Sequence, residues 1–330
     1  MSTPEALSNG SLVTIEKRPM LAVQNLPDCI AAAGPAATFA WEEFFLGKIR
    51  NRHTRTAYLR SVRRFLGWCE AQSLELNRIA PGMVGQYFDQ LGGSLPSKKL
   101  HLAAIRSFFD VLVQRHVVVL NPALSVKTER YSAVEGRTPE ITVDQARTLL
   151  ASIPVNCIIG LRDRALIAVL IYTAARAGAA GRLRLRDFAQ DGAQFVLRFD
   201  EKGGKARSIP VRHNLQEFVQ QYLAISGHGS DSKDSPIFRT MRKDGRTLSA
   251  TAMSGLDVWR MVKRRLEAAG LSTLISPHSF RGCTATDLLL QGVALEDVQY
   301  LLGHADARTT RLYDRRQKQV TRNIVERISV

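Results

Sequence analysis

The chain has 330 residues, 45% hydrophobic and 23% charged, which suits two folded domains and excludes wholesale disorder. Its 46 Lys and Arg stand against 30 Asp and Glu, a formal charge of +16. Such a surplus favours a polyanionic partner, nucleic acid first and an anionic membrane surface second.

In chain order, residues 1–36 combine Pro19, Pro27 and Pro35 with the run Ala31-Ala32-Ala33-Gly34 and read as a loosely ordered arm. Helical periodicity follows, over a first domain expected at 37–126. Tyr58, Val62, Phe65, Leu66 and Cys69 fall on one helical face, with Arg55, Arg60, Arg63 and Arg64 largely off it. Met83, Val84, Tyr87, Phe88 and Leu91 make a second apolar face, and Leu102, Ile105, Phe109 and Leu112 a third. Asn121-Pro122 ends this block, and the basic, aperiodic stretch 127–140 reads as a linker.

A second domain is expected over 141–330. Thr142 with Gln145 three residues on predicts a capping box at a helix start. The longest largely apolar run, Ala165 to Ala175, falls short of the ~20 residues that span a bilayer. Gln194 to Asp200 alternates as a strand, 201–205 makes a turn, and Ala206 to Arg212 returns. A later helix is expected to align Leu256, Trp259, Val262 and Leu266. The four cysteines, Cys29, Cys69, Cys157 and Cys283, lack metal-ligand spacing, and no leader pattern opens the chain. The expectation is a cytoplasmic protein with reduced thiols, no metal and no membrane association.

Five features of the second half draw attention together. Arg176 follows the apolar run, and Lys202 sits in the hairpin turn 26 residues later. His278 and Arg281 stand three apart near a helix start, so both can face one side. Gly303-His304 then precedes Tyr313 by nine residues. Each alone has an ordinary reading: a snorkelling arginine, a solvated loop lysine, a packing tyrosine.

In this order and spacing the set resembles the tyrosine recombinases, the family of phage integrases and Xer recombinases. The stretch SPHSFRGCTATDLLLQGVALEDVQYLLGHADARTTRLYDR follows that family's second block nearly throughout, and the likeness runs from about residue 40 to 328. The resemblance implies a mainly α fold with a small β-sheet in the catalytic domain, its two domains closing as a C-shaped clamp on DNA. Residues 37–126 would be the helical, SAM-like core-binding domain, and 141–330 the catalytic domain with a C-terminal tail helix.

Residue by residue, Arg176 and Arg281 match the two arginines that clamp the scissile phosphate, a task suited to the planar, permanently charged guanidinium fork. Lys202 matches the hairpin lysine that protonates the departing 5′ oxygen. His278 matches the histidine that helps accept the tyrosine proton, and His304 the His or Trp set against the phosphate. Tyr313 matches the nucleophile, whose phenol requires positive surroundings for activation. The product would be a 3′-phosphotyrosine that keeps the phosphodiester energy, so neither ATP nor any other cofactor is implied. Lys98, Lys99 and Arg106, with Lys127 and Arg130 in the linker, would contact DNA phosphates.

The resemblance further implies double-stranded DNA with short inverted-repeat sites as partner, and allows for accessory proteins. It also implies a homotetramer on that DNA, joined through a tail carrying Val320, Ile324, Val325 and Ile328 at helical spacing. Two positions depart from the pattern: Ala179 where the family usually has an acid, and Gly282 where it often has His. Two other readings stay open, a DNA-binding relative weak in catalysis and a type IB topoisomerase-like enzyme.

Overall fold

The computed structural model describes residues 25–129, 139–200, 206–242, 244 and 247–314. Lys202, Arg130, the turn 201–205 and the tail from 315 onward therefore lie outside the described residues. The chain divides into two compact units, Met1–Ser132 and Ala133–Val330. The fold is mainly helical with small antiparallel sheets.

In the first unit, helix α1 (Asp28–Ala32) and helix α2 (Pro35–Glu42) precede a π-helical turn, Glu43–Lys48. Both helices begin inside the stretch 1–36, whose first 24 residues lie outside the described ones. Ile30 is fully buried, Ala31 and Ala32 end α1, and Pro35 opens α2 at a position where its missing N–H costs nothing. Helix α3 (Arg52–Ala71) starts at Asn51, whose side chain accepts from the backbone N–H groups of His53 and Thr54. Helices α4 (Pro81–Gln90) and α5 (Leu95–Gln114) complete the unit. Their apolar faces meet around an aromatic core in which Trp41 packs edge-on against Phe45 at 4.6 Å and Phe65 against Tyr87 at 5.0 Å.

The second unit opens with α6 (Val143–Ser152), which carries the predicted Thr142–Gln145 capping box. Helix α7 (Ile158–Tyr172) is apolar almost all round, and Ala165 to Leu170 are completely buried. The short helix α8 (Ala177–Gly181) leads to a three-stranded antiparallel sheet of β1 (Phe188–Asp191), β2 (Gln194–Asp200) and β3 (Ala206–Pro210). Its register pairs Leu197 with Ile209 and Phe199 with Arg207. Helix α9 (His213–Ser226) packs on α7, and β4 (Arg239–Met241) pairs with β5 (Leu248–Ala252). Helices α10 (Gly255–Ala268), α11 (Pro277–Leu290), α12 (Leu295–Leu302) and α13 (Ala307–Arg311) follow.

Helix α10 buries Val258, Met261, Val262 and Leu266 but leaves Leu256 and Trp259 outside, against the expected stripe. On the buried side of α10 lies Gly181. A Cβ there would stand 2.4 Å from the Met253 carbonyl oxygen and 3.0 Å from Val258, so α8 sits tight on the Val258 side of α10. A buried polar knot joins α7 to α10. Asp163, with no exposed side-chain surface, accepts from Arg162 at 2.7 Å, Arg264 at 3.0 Å and Arg265 at 2.8 Å. Its charge is paired three times over, as burial of a carboxylate demands.

Candidate active site

Helix α11 begins with Pro277 at its first position and a capping box between Ser276 and Ser279. That start fixes the His-x-x-Arg spacing to one side of the helix. Arg281 points inward and is 1% exposed. Its Nη1 donates to the Ala174 carbonyl at 2.6 Å, and its Nη2 donates to the Leu302 carbonyl. Ala174 lies two residues before Arg176, and Leu302 two before His304. One guanidinium therefore ties together the three segments that carry Arg176, His278 and His304.

Ala174 reaches that geometry only with φ +49°, a left-handed conformation unusual for a residue with a Cβ. It is fully buried in a small cluster with Ala285, Leu289, Val298 and Leu302, against which Tyr313 packs. Arg176 is exposed and stands at the N-cap of α8, without a side-chain cap. Gly303 ends α12 in the left-handed region at φ +59°, which suits glycine and turns the chain back toward α13.

Past that turn, the His304 ring lies nearly parallel to Tyr313, with centroids 6.3 Å apart. His304 Nδ1 is 2.9 Å from Thr310 Oγ1. The Tyr313 hydroxyl lies 3.4 Å from His278 Nε2. The tyrosine backbone is held at both ends: its N–H donates to Thr310 O at 3.0 Å, and its carbonyl accepts from Thr286 Oγ1 at 3.4 Å. Of the six expected catalytic residues, Arg176, His278, Arg281, His304 and Tyr313 belong to this one constellation. The sixth, Lys202, falls between the ends of β2 and β3, outside the described residues.

The cluster sets the protonation states. Burial, then Arg281 and Arg176, lowers the His278 pKa. Burial, then Arg281, Arg176, His278 and Arg207, lowers that of His304 to about 4. Both imidazoles are thus neutral at pH 7. Burial raises the Tyr313 phenol against the opposing pull of Arg281 and Arg176. The resting site pairs a protonated phenol with a neutral imidazole that can take its proton.

Three features beyond the expected set contribute: Thr310, the Ala174 carbonyl and Arg207. Arg207 is 5% exposed, with its guanidinium 5.3 Å from the Phe199 ring centroid. Period-two alternation with Ile209 in β3 was a usable signal for Arg207. Nothing in the local pattern marks the other two.

The expected phosphate contacts of the first unit divide. Lys99 and Lys127 are exposed. Lys98 donates to the Phe88 carbonyl at 3.0 Å, and Arg106 donates to the carbonyls of Ala123 (2.8 Å) and Val126. Through these bonds Arg106 fastens the chain after α5. Among the described residues no cluster of His, Cys, Asp or Glu forms a metal site, and no helix is long and apolar enough to cross a membrane.

The sequence model of the phage integrase family matches residues 139–320, and that of the phage integrase N-terminal SAM-like domain matches 41–116. The chain belongs to the phage integrase family. Among relatives of this integrase family, tyrosine recombinase XerC of Pelobacter propionicus is 32% identical over 79% of this chain and 84% of its own. Tyrosine recombinase XerD of Chlorobaculum tepidum is 31% identical over 79% and 85%. In fold, the chain resembles XerH bound to a palindromic difH substrate in a post-cleavage complex, with TM-score 0.68, 18% identity and coverage of 94% and 87%. A lambda integrase dimer bound to a COC′ core site gives TM-score 0.63, 18% identity and coverage of 83% and 92%.

The two departures from the family pattern have local consequences. A Cβ at Gly282 would stand 3.4 Å from the Tyr313 ring edge, an ordinary van der Waals contact, so a side chain there would pack beside the tyrosine. Ala179 lines a cavity of about 140 Å³ with Arg182, Arg184 and Arg198, together with Asp187 and Asp200.

Proposed function

We propose that this phage integrase family member is a site-specific DNA recombinase that cuts and rejoins strands through Tyr313. The phenol oxygen attacks the scissile phosphorus while its proton passes to His278. The bond from phosphorus to the 5′ oxygen breaks, and that oxygen takes a proton from Lys202. A 3′-phosphotyrosine and a free 5′ hydroxyl result. A 5′ hydroxyl from a second strand reverses the attack and releases Tyr313, so the cycle consumes no nucleotide.

Arg176 and Arg281 stabilise the charge that gathers on the phosphate oxygens, and His304 adds a neutral N–H donor. The substrate in this reading is double-stranded DNA with short inverted repeats, bound in the cytoplasm by a tetramer joined through the tail beyond 314. Lys98, Lys99, Lys127 and Arg130 are the basic residues proposed to reach its phosphates. The observation that carries the reading is the 3.4 Å approach of the Tyr313 hydroxyl to His278 beside the buried Arg281.

The test is a pool of nicked duplexes with randomised arms, on which a cleaved strand loses its leaving group and cannot religate. Wild type should accumulate covalent protein–DNA, and Tyr313→Phe none. Trapping that survives Tyr313→Phe would contradict the assignment of the nucleophile. Absence of trapping by wild type would favour a DNA-binding relative without catalysis, the reading that Ala179 motivates.

A further inference from the structure

Thr310 is fully buried on α13, three residues before Tyr313. A helical threonine ordinarily turns its hydroxyl back to the carbonyl four residues earlier. Thr173 does so to Val169 at 2.7 Å, and Thr284 to Phe280 at 3.1 Å. Thr310 instead places Oγ1 2.9 Å from Nδ1 of His304, and among the described residues this is the hydrogen bond its side chain makes.

The donor must then be the hydroxyl. A threonine carries one O–H proton, and in a buried place that proton needs an acceptor. The Nδ1 lone pair supplies it. Were Nδ1 protonated, it would donate to Oγ1 and leave the hydroxyl proton without an acceptor, a cost comparable to a lost hydrogen bond. The neutral ring must therefore carry its proton on Nε2, the far nitrogen. Its charged surroundings agree: Arg281 and His278 on α11, Arg176 at the start of α8 and Arg207 on β3 all disfavour a second proton on the ring.

We propose that Thr310 is a positioning residue for strand cleavage, holding His304 in the tautomer that presents Nε2–H to the scissile phosphate. The inference rests on the phosphate-contacting role given to His304 above. Because the Thr310 carbonyl also accepts from the Tyr313 N–H at 3.0 Å, the same residue fixes the nucleophile's backbone and the donor's ring. The two reach the phosphate as a unit.

The tautomer is read directly by nitrogen-15 correlation spectra of histidine-labelled wild type, with the His304 signal assigned by its loss in His304→Gln. At neutral pH Nε2 should be protonated and Nδ1 not. A proton on Nδ1 overturns the proposal whether or not any variant folds. Thr310→Val should scramble that signature and slow single-turnover cleavage of a duplex recovered from the nicked pool by roughly 10- to 100-fold, with KM little changed. Thr310→Ser should restore both. A Thr310→Val protein that folds, keeps the wild-type nitrogen pattern and cleaves at the wild-type rate sinks the proposal while leaving Tyr313 as nucleophile. Failure of wild type to trap DNA sinks the functional reading instead.

Discussion

Arg281 shows how a buried cation can organise a site: backbone carbonyls of Ala174 and Leu302 receive its guanidinium. The positive field it makes with Arg176 falls on two histidines, and its sign can be checked in solution. His304 titrates at about 4 in the folded chain, below the ordinary value of 6.5. The folded state therefore binds fewer protons than the unfolded one in that window. The stability this contributes is complete above pH 6.5 and is lost as pH falls toward about 4. Urea unfolding at steps across that range should show a falling free energy, with a flatter slope in His304→Gln. Equal slopes would mean that the ring is not held neutral.

At the scale of elements, α8 is the weak support of the site. Arg176 is its N-cap residue without a side-chain cap, and the Ala179 N–H donates to the Arg176 carbonyl at 2.9 Å. An acid at position 179 would sit in the first turn, close enough to reach back to the Arg176 N–H and to complement the helix dipole. Ala179→Glu should therefore raise stability by roughly 0.5 kcal/mol, seen as a higher midpoint in thermal unfolding. A lower midpoint would show that the cavity lined by Arg182, Arg184 and Arg198 does not accept the side chain.

Elements also divide what could be read beforehand from what could not. The hairpin of β2 and β3, the Thr142–Gln145 capping box and the stripes of α3 to α5 follow from period and local chemistry, so the chain displays them openly. The left-handed Ala174, the knot of Asp163 with Arg264 and Arg265, and the Thr310–His304 bond depend on partners brought together only by tertiary packing. Trp259 was misplaced for the same reason, since the face that α10 buries is set by packing against other elements, Gly181 on α8 among them. The ordered set from Arg176 to Tyr313 was legible through its resemblance to a family pattern, not through any single local propensity.

For the whole molecule, a charge of +16 and two compact units suit a polyelectrolyte partner. The family membership gives that surplus a chemical purpose, and in the proposed reaction DNA becomes bonded to one phenol. The most direct test is to digest the trapped protein–DNA complex with protease and nuclease and sequence the peptide that keeps a nucleotide. The account predicts a phosphodiester from the Tyr313 oxygen to the 3′ end of the cleaved strand. A nucleotide on any other residue, or a link to the 5′ end, would contradict it.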